Sequence, residues 1–535
     1  ASSSNTLTDG SSQGHYTVNN GQYSQTYADV LVNINKRIQD FTIVANIGAS
    51  YSGVTSKELG YAGPIRETGI PNLFNVYDLD NAKKRATQVG WREATESIFA
   101  SAEVGWKSML YLTVTGRNDW ASQLTHSPQA SFFYPSVGLS AVITEMLKLP
   151  DWVDYLKVRG SFSSVGNPYP RFLTYPTYSY DANKQDWKSQ TNYPIGKLYP
   201  ERTDSWEIGL DATLFKDFKL SGSFYYANTY NQTFDPRLPV SSGYDKLYVQ
   251  TGYVRNYGFE AMLSYGHRWG DFGWDSSFTF SANKNEIVEL VKDYVHPETG
   301  KTYNVDKLEL KTDEGRGFGK AKFILKEGGT LGDLYTHADL KRDINGNILI
   351  DDSGNVTAID NAGDIKLGSV LPKANLAWNN SFSYKGINAG FLLTARLGGI
   401  VYSATQAYLD LYGVSETSAA ARDAGGVWIN GRSRVNPQSF YEVVASQSGL
   451  PTYYTYSATN LRLQEAHIGY TVPRRWLGNV CDINVSLVGR NLWMIYCKAP
   501  FDPEAVATTN NYYQGIDYFM MPSTRNIGFN IKINF

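Results

Sequence analysis

The last twelve residues, Thr524 to Phe535 (TRNIGFNIKINF), alternate without a break. Ile527, Phe529, Ile531, Ile533 and Phe535 fall on one side, and Asn526, Gly528, Asn530, Lys532 and Asn534 on the other. Side chains of a strand point alternately to its two faces, so this stretch reads as a strand with apolar surroundings on one face and water or polar groups on the other. A terminus frays unless something holds it, and a strand that runs flush to an aromatic last residue is expected to sit in a sheet.

The same two-faced pattern recurs upstream. Strands are predicted over 25–37 and 41–51, joined at Gln39-Asp40, then over 93–105 and 108–117, and over 131–145 and 153–165 on either side of KLPDW. The clearest pair is 203–215 with 218–231, joined at Lys216-Asp217, in which Trp206, Ile208, Leu210, Ala212 and Leu214 alternate with Ser205, Glu207, Gly209, Asp211 and Thr213. Further pairs are 254–268 with 272–283, 373–385 with 388–401 and 459–472 with 480–491, before the final strand. The longest insertion is about 285–372, and the loop 402–458 holds two short predicted helices, near Ala407–Tyr412 and Phe440–Ala445.

Fifteen strands are thus joined by seven short turns and seven long loops in alternation, which places all short connections at one end. That asymmetry belongs to an antiparallel transmembrane β-barrel with short periplasmic turns and long extracellular loops, whereas a soluble sandwich does not need every second connection to be long. It also points the last strand downward, with Phe535 at the periplasmic rim.

Composition agrees. Aromatics make up 14%, with 39 Tyr, 12 Trp and 24 Phe, beside 48 Gly, a usage that suits strands, turns and wet interfaces. Net charge is −2 with no long basic run, which removes nucleic-acid binding from consideration. No apolar run approaches a membrane helix, but barrel strands need only about 9–11 alternating residues and leave a weak signal, so a mean hydropathy of −0.36 fits a barrel or a soluble protein. The opening ASSSNTLTDGSSQG is polar coil and not a signal peptide. Cys481 and Cys497 would lie near opposite ends of one strand, too far apart to bridge, and both are expected to be free.

Single-chain bacterial barrels close with an even strand number. Fifteen is odd, so the expectation is a partial barrel: residues 1–24 as a surface-loop segment at a cut, and residues 25–535 as the C-terminal part of the barrel, with plug and first strands absent. A further strand near Tyr16–Val18 is the alternative.

TGRNDW (115–120), YPSVGLS (134–140), VRGSFSSVGNP (158–168), LYPERTDSWEIGLD (198–211), NLRLQEAHIGYTVP (460–473), GRNLW (489–493), APFDPE (499–504) and NYYQGIDYFMMPSTRNIGFNIKINF (511–535) follow in order. Together they resemble the C-terminal barrel half of SusC/RagA-type TonB-dependent transporters. The resemblance implies a 22-stranded outer-membrane barrel with an N-terminal plug, which imports oligosaccharides or peptides under a SusD-like lipoprotein lid and is energised by TonB. The plug and first strands would come as a separate chain or be restored, and Phe535 would be the C-terminal barrel signal.

Within that frame Asp204, Glu207 and Glu465 are expected to face the plug or line the lumen, and Arg117 and Arg490, at strand tops, to fix loops through hydrogen bonds. Rim aromatics such as Trp106 and Trp274 are interface anchors. Substrate candidates are aromatics of the long loops, whose flat faces stack on sugar or peptide: Tyr178, Trp187, Tyr244, Tyr248, Tyr453, Tyr454, Tyr512 and Tyr513.

Enzyme signatures do not hold. GSSQG at 10–14 fits G-x-S-x-G but lies in polar coil, Gly300-Lys301-Thr302 lacks the upstream glycine of a P-loop, and the six histidines form no H-E-x-x-H. No cofactor is expected. The one metal-like stretch is DINGNILIDD, where Asp343, Asn345 and Asn347 resemble the start of a Ca2+ loop, but Ile348 stands where the sharp-turn glycine belongs and no Glu occupies the twelfth position, which favours an unmetallated turn. The rival reading from another class is a surface or secreted glycan-binding adhesin.

Overall fold

The computed structural model describes residues 13–70, 72–173, 177–181, 186–189, 192–193, 198–234, 246–295, 300, 302–310, 317–508 and 514–535. Fifteen strands form one sheet in chain order, each antiparallel to the next: β1 (His15–Ile38), β2 (Phe41–Pro64), β3 (Arg85–Trp106), β4 (Leu110–Ala121), β5 (Ser131–Val142), β6 (Val153–Asn167), β7 (Glu201–Leu214), β8 (Phe218–Phe234), β9 (Val249–Trp269), β10 (Phe272–Glu289), β11 (Ala374–Tyr384), β12 (Ile387–Leu397), β13 (Asn460–Val472), β14 (Asp482–Cys497) and β15 (Asn526–Asn534). Every strand read from alternation is present, and the short turns all lie at one end.

Several boundaries differ, most of all at the tops of the first three strands: β2, expected over 41–51, runs Phe41–Pro64, and β3, expected over 93–105, runs Arg85–Trp106. Residues 15–24, expected to be loop, continue β1 and pair with 55–64, from His15↔Pro64 to Ser24↔Thr55. HYTVNNGQYS has no oily face because it stands beyond the apolar layer with water around it, so the period-two signal vanishes although the ladder goes on. The count stays at fifteen.

Register fixes which way side chains point. Trp206 lies opposite Phe162 and Tyr226, and Ile208 opposite Gly160 and Phe224. This row continues through Phe259, Leu263, Phe278 and Trp378 as a surface of exposed large apolar groups. The opposite row is polar and cross-linked: Ser163 to Ser205 at 2.7 Å, Arg159 to Glu207 at 3.2 Å and Ser264 to Ser277 at 3.0 Å. Leaving a large apolar side chain in water forgoes about 1.5–3 kcal/mol, so a wall with its oily face outward is built for lipid.

Near the short turns the outer face carries a girdle of rings. Trp152 meets Phe215 at 5.5 Å, Phe218 meets Tyr265 at 4.6 Å, Tyr265 meets Trp274 at 5.2 Å and Trp274 meets Phe382 at 6.4 Å. The indole N–H of Trp274 donates to Asn380 (3.1 Å), and Lys107 lies 5.4 Å from the Trp106 ring. Amphipathic rings with a satisfied polar edge mark a membrane–water boundary. Phe535 follows β15 at this end, beside the Asp482↔Asn534 pair.

At the other end the long loops fold on themselves. Leu334, Tyr402, Ala407, Ile429, Phe440, Val444, Leu450 and Ile516 pack into a buried core drawn from the 285–373, 398–459 and 498–525 connections. Three helices contribute: Ala404–Leu411, Glu416–Asp423 and Pro437–Val444. The first and third match the predicted pair. The second, ETSAAARD, is capped by Ser415, whose hydroxyl accepts the Ser418 N–H, and was missed because it has no strong apolar stripe. Both cysteines are free.

Candidate functional site

The polar row of the wall turns inward and carries its charge in pairs. Arg159 reaches Glu207 (3.2 Å) and Asp211 (3.4 Å), and Asp211 accepts from Ser221 at 2.7 Å. Arg202 pairs with Asp204 at 2.8 Å and donates to Ser164 at 2.9 Å, while Arg490 pairs with Glu465 at 2.9 Å. Higher on the wall Arg117 binds Asp119 (2.7 Å) and Ser97 (2.8 Å), and Tyr134 donates to the same Asp119 carboxylate. Each of these residues sits on a strand, so its direction is set by register and not by a loop. Between β6 and β12 the wall encloses a recess of about 600 Å³ lined by Arg159, Glu260, Thr279, Asn375, Thr394 and Arg396, with Glu504 reaching in from the last outer loop.

That loop is latched to the wall. Arg462 of β13, nearly buried, donates to Asp502 (2.6 Å) and to Asn491 (2.8 Å) and lies 3.3 Å from Glu504. Burial works to raise the Asp502 pKa, but the Arg462 and Ser523 hydrogen bonds and the Arg462 charge outweigh it, and the carboxyl stays below its ordinary range. In the cap, Asp364 takes Lys307, Lys326 and His337 at 2.7, 2.7 and 2.9 Å, and the two lysines hold its carboxyl well below the usual carboxylate range.

The residues predicted for the site divide between these settings. Asp204, Glu207, Glu465, Arg117 and Arg490 all carry ion pairs on the inner face. Asn491, beside Arg490, donates to the Thr524 carbonyl (3.2 Å) and so ties a strand top to the final loop. Tyr178 and Trp187 project from a small hairpin, Tyr178–Asp181 with Asp186–Ser189, with Tyr180 at 5.3 Å from the Trp187 ring. Tyr248 packs against a loop cluster with Leu198 and Tyr169, and Tyr453 packs on the cap core 6.2 Å from Phe440. Tyr454 must be reassigned: it is 2% exposed and its hydroxyl donates to buried Asp410 at 2.9 Å, so no face is open to a ligand. Tyr244, Tyr512 and Tyr513 lie outside the described residues.

The metal-like stretch turns its oxygens inward. Asp343 Oδ1 accepts the N–H groups of Asn345 and Asn347, both at 2.8 Å, and Oδ2 accepts the Asn347 amide at 3.0 Å. Eight residues on, Asp351 repeats the turn with Ser353 (3.0 Å) and Asn355 (2.8 Å). These hydrogen bonds make the stretch two successive self-capped turns.

Arg159, Arg396 and Arg462 were not singled out from sequence. A lone arginine in a strand carries no signal until register supplies its partners, and the partners of Arg462 lie 29 to 42 positions away.

An outward-apolar, inward-polar wall with a girdle at one end and a folded cap at the other defines an outer-membrane receptor barrel. The model of the TonB dependent receptor-like, beta-barrel family matches residues 1–492, and the chain belongs to that family. It is a bacterial outer-membrane protein and not an enzyme. Among curated relatives, TonB-dependent receptor P3 of Formosa agariphila is 24% identical over 524 residues, covering 91% of this chain and 50% of the relative. TonB-dependent receptor SusC of Bacteroides thetaiotaomicron is 24% identical over 433 residues, covering 74% and 40%. The chain spans about half the length of the curated relatives it matches. The solved structure of the RagAB peptide transporter superposes with a TM-score of 0.73 at 17% identity, over 97% of this chain and 56% of that one, which establishes a shared fold.

Proposed function

We propose that the chain supplies the C-terminal barrel of a TonB-dependent importer that carries oligosaccharides or peptides across the outer membrane under a SusD-like surface lipoprotein. The observation that carries this reading is the inner wall: charge-paired, hydroxyl-rich and recessed below a cap that is latched to the barrel top by Arg462. A wet lumen lined with fixed charges suits passage of polar cargo, and the loop aromatics Tyr178 and Trp187 suit its capture at the mouth. Asp204, Glu207 and Glu465 serve as plug-facing or lumen-lining groups. The likeness to SusC and to a peptide transporter supports both cargo classes and the lipoprotein partner.

Uptake of labelled oligosaccharide and peptide pools by cells of the native host, with and without the gene, is the test. Loss of one pool in the deletion strain, and again when the proton-motive force is collapsed, is the expected result. Uptake of both pools unchanged by the deletion would sink the importer and leave the surface-adhesin reading.

A further inference from the structure

β1, β2 and β3 run for 24, 24 and 22 residues, whereas β4 has 12. A tilted membrane strand needs about 9–11 residues, so the upper halves of the first three stand beyond the apolar layer as a blade. β4 pairs with β3 only from Thr95↔Ala121 down to Trp106↔Leu110. Above that point β3 is bonded to β2, from Ala94↔Gly53 to Arg85↔Ala62, and among the described residues no strand lies on its other side.

The open side has a defined set of backbone groups. The Ala94 N–H donates to Ser122 Oγ at 3.0 Å, away from β2. Alternate residues of a strand aim their N–H and C=O at the same edge, so Ala86, Gln88, Gly90 and Arg92 also face the open side. Residues 85–90 and 92 are exposed. The base of the blade is braced, because Arg171 stacks 3.6 Å over the Trp91 ring and pairs with Glu93 on the inner face.

Proteins guard free edges with charge, proline, bulges or a covering element. Here Arg85 and Arg92 bracket the edge, but the residues between, Ala86–Gly90 (ATQVG), hold neither charge nor proline, and Val89 is 53% exposed. An edge with five uncharged residues at its centre, held on its other side by the β2 ladder, is a template for another strand. It lies in the plane of the wall and opens along the rim, so it meets a neighbour at the cell surface and not cargo in the lumen. Arg85 and Arg92 have no acidic partner among the described residues, and Lys84 stands beside them, so the charge selects a negative neighbour.

We infer that the β3 edge over Ala86–Arg92 is a docking strand, which takes an extended segment of a surface partner protein whose uncharged centre is flanked by Asp or Glu. The segment adds to the sheet by backbone pairing at Ala86, Gln88 and Gly90, and its acidic ends meet Arg85 and Arg92. The inference rests on the outer-surface placement of the loops in the importer reading and names where and by what chemistry a partner attaches.

The probe is the fluorescein-labelled peptide Glu-Thr-Val-Thr-Val-Thr-Val-Glu, whose two ends, like Arg85 and Arg92, fall on opposite faces of a strand, titrated against the protein isolated from outer membranes in detergent, with a control peptide N-methylated at alternate amides. Saturable binding below about 1 mM is expected, with new hydrogen-exchange protection at Gln88 and Gly90, and with at least about tenfold loss for the N-methylated peptide. Gln88→Pro removes an edge donor at a position where an outer strand tolerates proline and should weaken binding about tenfold or more. The pair Arg85→Glu and Arg92→Glu should do the same at low salt without touching the backbone, so the test stands even if the proline variant misfolds. No saturable binding, or binding unaffected by N-methylation and by both sets of variants, overturns the docking strand. The titration needs neither cargo nor TonB, so its failure is distinct from failure of import.

Discussion

Wall and cap place the same residue types in opposite ways. In the wall Trp206 and Ile208 stand 58% and 64% exposed while Arg159, Glu207 and Ser163 face inward. In the cap Leu334, Tyr402 and Ile516 are fully buried, and the buried carboxylates Asp333, Asp410 and Asp517 are each held by a partner, Lys366, Tyr454 and Ser403 respectively. One chain therefore obeys two solvents. The wall is held by continuous ladders and by lipid outside it, with little apolar contact of its own, whereas the cap is a small globular core that a soluble domain would recognise. The difference teaches which contacts hold each part, and it can be tested residue by residue.

The sharpest break is at the latch. Arg462→Ala leaves Asp502 and Glu504 without their cation and should cost about 3–5 kcal/mol of loop stability. Hydrogen exchange is expected to rise across 498–508 while β6 to β10 stay protected. Equal protection everywhere would mean that the final loop is held by other contacts. Of similar size is Phe440→Ala, a core truncation costing about 3–5 kcal/mol, which should melt the Pro437–Val444 helix while the detergent-resistant barrel band on a gel remains. A loss of the band would show that wall and cap unfold as one.

In the wall the analogous change is addition of charge. Ile208→Arg on the lipid face should cost about 2–4 kcal/mol if it lies near mid-bilayer, read as a lower urea midpoint for the barrel with the cap unaffected. The acid limb is smaller. Asp364 has its folded pKa lowered by Lys307 and Lys326, so its contribution is complete above the unfolded value of about 4 and is lost as pH falls below it. Cap proteolysis should accelerate below about pH 4 and stay flat between neutrality and that point, and an onset near pH 6 would assign the transition to another group. Least of all, Glu207→Gln breaks a pair that is part-exposed on both sides and should change stability by under about 1 kcal/mol.

How much of this was legible follows from the same contrast. The wall could be read because lipid on one side and water on the other impose period two on every strand, so Trp206 to Leu214 declare their direction without any partner. Where that difference ends, the signal ends: the upper part of β1 is strand by pairing alone. The cap gave only two of its helices, because its core is assembled from three loops far apart in sequence, and nothing in the residues around Tyr402 tells that Ile516 will lie beside it. For the same reason Tyr454 looked like an open aromatic. The inner-wall arginines were invisible singly, since an ion pair across strands is a property of register.

The seam between Tyr402-Ser403 and Ile516-Asp517 also dictates an order of assembly. Those segments pair in parallel, and the Ser403 hydroxyl donates to Asp517 at 2.5 Å across 114 positions. The cap therefore cannot close until the chain has been delivered as far as Asp517. During synthesis and export, the apolar residues from Ala321 to Tyr454 must wait without their last partner, at risk of premature collapse. The last outer loop is therefore the piece that completes the cap.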